Sequence, residues 1–401
     1  MARDDEMTDH SSHTGAQAQT LVTHVGRDAK LSQGLVSIPP YRGSTVLFDT
    51  VEQMKGASGH RAYGRWGTPT NRALERALAE LEGGANAMLT PSGLSAITIA
   101  LLASVKPGDH ILVSDSVYPP TRTFCDTVLK QMGVATTYYD PLVGAGIKDL
   151  LQPNTSVVYT ESPGSGTFEV QDIPAICAAA HAAGARFLMD NTWGTALCFN
   201  ALRHGVDLSI HSLTKYVVGH SDALLGAIVV RDREVYRQVR GFHGAMGITV
   251  GPDDAFLGLR GLRTLAVRLR QHQENALAVA QWLREQPLVR EVLYPALPGA
   301  PGHELWKRDF EGASGLFGVI LKDASDGAVA AMLDGMRWFG MGFSWGGSES
   351  LVIPVKPGGY RMSSPLRHGE ACLRIHVGLE HPQDLIADLR DGLQRLQAYR
   401  D

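Results

Sequence analysis

Between about residue 86 and residue 230, short apolar runs alternate with stretches of helical spacing, and no other property of this chain restricts its fold so much. The runs are Ala87–Thr90, His110–Val113, Ser156–Thr160, Phe187–Met189, Asp207–Ser212 and Leu224–Val230. Each is too short for a helix, and most are too evenly apolar for a strand with one wet face. Between them lie helix-like segments. Ser92-Gly93-Leu94 opens one whose expected buried side is Leu94, Ile97, Leu101 and Leu102; another runs from Pro174 to Ala183 and ends at Gly184. A helix carrying Leu74, Leu78 and Leu81 precedes the series and stops at Gly83-Gly84. This rhythm predicts βαβ units and an α/β fold with a mostly parallel sheet covered on both faces.

Near Pro252 the style shifts to long helices, with Leu316–Leu321 and Ala371–Val377 as strands and a last helix from about Pro382. A smaller C-terminal α+β domain is expected there. Residues 1–62 show little periodicity and read as a polar tail of about twenty residues followed by an extended segment around Pro39-Pro40 and Gly43. The expected division is therefore 1–62, 63–260 for the large domain, and 261–401 for the small one.

Composition narrows the function classes. The 401 residues suffice for two domains with large cores. The net charge of -4 and the lack of a basic block argue against nucleic acid or an anionic membrane as the main partner. No stretch approaches the ~18 apolar residues of a membrane span, and the polar start has no secretory h-region. Cys125, Cys177, Cys198 and Cys372 are scattered, which suggests reduced core residues in a cytoplasmic protein and no disulfide frame. No histidine pattern has metal-ligand spacing, so no metal is expected.

Chemistry concentrates around Lys215. It lies in Ser212-Leu213-Thr214-Lys215, beyond one apolar run, and Asp190 ends the run before it. An amine between apolar runs, a carboxylate at a strand end and nearby hydroxyls are what a pyridoxal 5'-phosphate site needs. The lysine forms the Schiff base, the aspartate keeps the pyridine nitrogen protonated, and Ser212 and Thr214 hold phosphate. Ser92-Gly93-Leu94 adds a helix start whose free N–H groups at Gly93 and Leu94 face an anion. Each residue has a plainer reading: Asp190 could cap a turn, and Ser92 could simply cap its helix. Tyr118 follows another strand end, where its ring could stack on a pyridine or merely pack. Tyr63 and Arg65, in Tyr63-Gly64-Arg65-Trp66, offer a hydroxyl and a fork for phosphate, or an ordinary loop.

Arg374 sits inside the apolar run Leu373-Arg374-Ile375-His376-Val377 and must be paired or face a cavity. A substrate α-carboxylate suits its fork; an ion pair with a neighbouring glutamate is the alternative. The loop Phe343-Ser344-Trp345-Gly346-Gly347 could assist that carboxylate through Ser344 and Trp345.

Taken together, these motifs resemble the Cys/Met-metabolism family of pyridoxal phosphate enzymes, of aspartate-aminotransferase-like fold type I, from about Val46 onward. Tyr63-Gly64-Arg65 and Ser344-Trp345-Gly346-Gly347 are similar to its β-eliminating branch, as is the stretch from Tyr294 to Asp309. The resemblance implies a carbon–sulfur lyase acting on L-cystathionine, with Lys215 and Tyr118 catalytic. It implies that Tyr63 and Arg65 reach the phosphate of a neighbouring subunit, so that a homodimer is the catalytic unit and a homotetramer the usual assembly. Rivals are γ-acting relatives, a general cysteine-S-conjugate β-lyase and a non-catalytic regulator. A nucleotide-binding dehydrogenase is disfavoured because no G-x-G-x-x-G follows the first strand.

Overall fold

The computed structural model describes residues 15–57, 59, 62–356, 361 and 370–400. Two short helices, α1 (Ala18–His24) and α2 (Val51–Gly56), stand in the segment expected to be wholly extended. Residues 18–20, read as tail, belong to α1; residues 1–14 lie outside the described ones. Val22 of α1 is buried, and Arg263 donates to the carbonyls of Val22 at 2.9 Å and Val25 at 2.8 Å. Helices this short are marginal alone, so this tie to the body of the protein is what holds α1.

The next helix, α3 (Pro69–Glu82), starts where its sequence directs. Thr68 and Asn71 form a capping box, Pro69 takes the first position, and Gly83 ends the helix in the left-handed region at φ 71°. It leads into a seven-stranded sheet made of β1 (Asn86–Thr90), β2 (His110–Ser114), β3 (Ala135–Tyr139), β4 (Thr155–Glu161), β5 (Arg186–Asp190), β6 (Leu208–His211) and β7 (Gly226–Val230). The strand order is β1-β7-β6-β5-β4-β2-β3. Neighbours from β3 through β6 pair in parallel, while β7 runs antiparallel to both β1 and β6.

Alternate residues of each strand feed two cores. Ile111, Val113, Tyr159, Leu188 and Ile210 pack beneath α4 (Gly93–Leu102), whereas Leu112, Val158, Phe187 and Met189 join α3 on the other face. Helix α4 corrects one expectation. It buries Ala96, Ile97, Ala100 and Leu101, but Leu94 is 39% exposed and Leu102 only half-buried. Leu94 lies in the first turn, beyond the carboxyl ends of the strands, where no sheet lies beneath it.

Short and long helices follow in order: α5 (Pro119–Phe124), α6 (Ile173–Ala182), α7 (Thr195–Cys198), α8 (Arg233–Ala245), α9 (Pro252–Leu262) and α10 (Leu265–Arg284). A second sheet contains β8 (Val289–Leu293), β9 (Leu316–Leu321), β10 (Leu351–Val355) and β11 (Ala371–His376), in the antiparallel order β10-β11-β9-β8. Helices α11 (His303–Asp309), α12 (Asp326–Leu333) and α13 (Pro382–Arg400) accompany it. All four cysteines are buried and unbonded. Among the described residues no helix is long and apolar enough to cross a membrane.

Candidate active site

In an open α/β sheet ligands bind beyond the carboxyl ends of the parallel strands, and four strand ends deliver polar groups to one place here. The Lys215 loop leaves β6, Asp190 ends β5, Glu161 ends β4, and Tyr118 follows β2. Asp190 is buried, and its Oδ1 accepts the Thr192 N–H at 3.0 Å. The turn-capping alternative is thus realised together with the strand-end placement. Thr192 Oγ1 in turn accepts the Ser212 N–H at 2.8 Å, tying the end of β5 to the loop after β6. Burial raises the Asp190 pKa; hydrogen bonds from Thr192, then the nearby charges of His211 and Lys215, work against it.

Ser92 caps α4 by accepting the Ser95 N–H at 3.1 Å. The N–H groups of Gly93 and Leu94 precede the first turn's ladder and have no intrahelical partner. A Cβ at Gly93 would lie 2.5 Å from Ser212 Cβ, so only glycine brings the helix start this close to the Ser212 loop. Thr214 exchanges hydrogen bonds with Leu225, donating to its carbonyl at 3.1 Å and accepting its N–H at 2.8 Å. Its hydroxyl must turn to meet an anion at the helix start.

Lys215 Nζ donates to Ser344 Oγ at 2.6 Å and lies 5.3 Å from the Trp345 ring centroid. Burial, then the nearby Arg374, lower its pKa to about 8, and Asp190 opposes them. A lowered pKa means the amine is charged below about 8 and free above it. In the apoprotein, labelling of Lys215 by an amine-selective acylating reagent should therefore rise through about pH 8. An inflection near 10.5, the ordinary lysine value, would show that the amine is not shifted.

The second sheet supplies the opposite wall. Arg374 of β11 donates from Nη2 to the Ser344 carbonyl at 3.0 Å and pairs with no carboxylate among the described residues. The glutamate ion pair weighed above is therefore not formed. Burial lowers the Arg374 pKa to about 10, with Tyr118 opposing. Tyr118 is 43% exposed, and burial, then Glu161, raise its phenol pKa. Tyr63 and Arg65 stand apart. Tyr63 is half-exposed, and Arg65 donates to the Gly244 carbonyl at 2.9 Å and lies over the Trp66 ring. No hydrogen bond or ion pair joins either residue to Asp190, Lys215 or Arg374.

Sequence reading missed Glu161. Its Oε2 accepts the Tyr118 N–H at 2.6 Å and so fixes where the ring emerges, and its β4 position is in register with Asp190 of β5. Burial, then the Asp190 charge, push its pKa well up. The available signal was the one used for Asp190: a carboxylate ending an apolar strand.

The sequence pattern of the Cys/Met metabolism PLP-dependent enzymes matches residues 19–394. The chain belongs to that family. Cystathionine beta-lyase of Escherichia coli is 45% identical over 388 residues, covering 94% of this chain and 98% of that one. Cystathionine beta-lyase of Salmonella typhimurium is 44% identical over 394 residues, covering 96% and 100%. A crystal structure of cystathionine gamma synthase from Xanthomonas oryzae superposes with a TM-score of 0.88 at 36% identity, covering 96% of this chain and 100% of that one. The fold and the pyridoxal phosphate dependence expected from sequence are those of the family. The residues present fit the cofactor: a glycine-only approach between Gly93 and Ser212 at a helix start, a buried carboxylate at Asp190, and an amine at Lys215 shifted toward its free form.

Proposed function

We propose that this chain cleaves L-cystathionine by β-elimination, giving L-homocysteine, pyruvate and ammonia with uptake of one water. The observation that carries the reading is the convergence of Lys215 and Arg374 on Ser344, which sets a base and a carboxylate-binding fork beside one another. Bound pyridoxal phosphate supplies an electron sink for the charge that develops at Cα. With the cofactor bound, Lys215 would be the residue that holds it through its aldehyde and, once its amine is free, the base that removes the substrate Cα proton. Its pKa near 8 leaves part of the amine free close to neutral pH. The same Nζ returns that proton to the departing sulfur, with the Tyr118 hydroxyl assisting. Asp190 provides the negative charge that keeps the ring nitrogen protonated.

Arg374 binds the substrate α-carboxylate, with Ser344 and Trp345 closing that side. Gly93, Leu94, Ser212 and Thr214 take the phosphate, joined by Tyr63 and Arg65 from a second copy of the chain. Exposed Leu35, Val36, Leu47 and Met54 on the segment before Tyr63 support a homodimer, since such apolar surface favours a partner. A tetramer of two dimers in the cytoplasm, serving methionine biosynthesis through homocysteine, completes the reading. The division into segments 1–62, 63–260 and 261–401 accords with sheet strands confined to 86–230 and 289–376.

Product analysis with L-cystathionine tests the function. Pyruvate is expected, whereas 2-oxobutyrate would mark γ-elimination and overturn it. Comparing rates on cystathionine and alkyl cysteines separates a general cysteine-S-conjugate β-lyase. The shared site has its own test: Arg65→Ala chains mixed with Lys215→Ala chains should regain activity through dimers holding one intact site. Dimers proven mixed yet inactive would rule it out.

A further inference from the structure

Ser344 is held in a conformation that its own side chain does not explain. Its φ of 81° lies in the left-handed region, uncommon for a residue with a Cβ. From there one residue serves both functional cations, its hydroxyl meeting Lys215 Nζ and its carbonyl meeting Arg374. Two positions on, Gly346 presses its backbone on the lysine: a Cβ there would lie 2.8 Å from the Lys215 carbonyl carbon.

We infer that His376 is a positioning residue whose neutral imidazole ties the loop 344–349 to β11 at two points and thereby holds Ser344 against Lys215 and Arg374. This rests on the site reading above. His376 is the last residue of β11, two after Arg374, and is 1% exposed. The Gly346 N–H donates to its Nε2 at 3.1 Å, and Nδ1 lies 3.1 Å from the Glu349 carbonyl. A backbone N–H can only donate, so Nε2 is the bare nitrogen; Nδ1 carries the proton and donates to Glu349. One ring thus grips both sides of the loop.

Its surroundings keep it in that form. Burial, then His272, disfavour a charged imidazole, as do Arg374 and Lys215, and only the Glu349 carbonyl favours one. The rings of Tyr216, next to Lys215, and His272 stand 5.9 Å and 5.2 Å from it and limit its rotation.

The test compares His376→Leu, which keeps volume and loses both bonds, with His376→Gln, whose amide oxygen can still accept from Gly346. Hydrogen–deuterium exchange of residues 343–349 is followed in the apoprotein, and KM and kcat are followed in the holoenzyme. The Leu variant should exchange about tenfold faster in that loop alone and raise KM for cystathionine about tenfold, with cofactor content unchanged. The Gln variant should recover most of both effects. Loop exchange unchanged in the Leu variant, or raised equally throughout the protein, overturns the inference. Should the Leu variant fail to fold, His376→Asn takes its place, because it reaches only the Glu349 side. Equal exchange and KM in the Asn and Gln variants would then overturn the idea. Turnover persisting in Lys215→Ala would sink the site reading instead and leave the loop-exchange result standing.

Discussion

Lys215→Ala should fold, retain some cofactor through the phosphate contacts, and lose turnover of L-cystathionine by about a thousandfold or more. The expectation follows from the number of tasks placed on one nitrogen: covalent attachment, removal of the Cα proton and its return to sulfur. General acid–base catalysis alone is worth roughly 10²–10⁴-fold. Ser344 offers only a hydroxyl at that position, and a hydroxyl is too weak a base to substitute. The check is pyruvate release alongside the visible absorbance of the purified variant. Release at the parental rate would mean that the base lies elsewhere.

Arg374→Lys keeps the charge and removes the fork. A guanidinium meets a carboxylate with two parallel bonds, while an ammonium offers a point charge. Hydrogen bonds to charged groups contribute roughly 1.5–3 kcal/mol each, and ~1.36 kcal/mol is a tenfold change. Losing one of them should lower kcat/KM about ten- to a hundredfold. The cofactor absorbance should stay normal, because Arg374 is assigned to substrate. Unchanged kcat/KM, or loss of the cofactor, would make Arg374 a structural residue.

What the sequence disclosed, and what it hid, divides along physical lines. Strands buried on both faces are plain: β1, β2, β4, β5, β6 and β7 all fall on runs recognisable from apolar content. The unread strand β3, Ala135–Tyr139, stands at the end of the sheet order, is half-covered, and carries two threonines that blur its pattern. At the opposite extreme of the second sheet, β10 contains Pro354, which an edge strand tolerates and which a sequence pattern discounts. The reversed direction of β7 had no sequence signal, since direction is set by how the chain crosses over. In the site, Lys215, Asp190 and Arg374 were legible because ionisable groups in apolar settings need a reason. Glu161 carried the same signal and was passed over, whereas His376 was hidden, since its proposed role lies in which backbone groups it meets across the fold. Leu94 was misassigned because helical spacing alone does not tell where the supporting sheet ends.

Burial pushes the thiols of Cys125, Cys198 and Cys372 up to about 12 and that of Cys177 up to about 11. Thiol exchange proceeds through the thiolate and needs access. A protein that liberates a free thiol at every turnover meets the corresponding disulfide wherever that thiol is oxidised, and that disulfide is what a protein thiolate would attack. Sulfur atoms kept protonated and out of reach make it indifferent to that disulfide, so its folded form should accumulate no mixed disulfides with oxidised homocysteine.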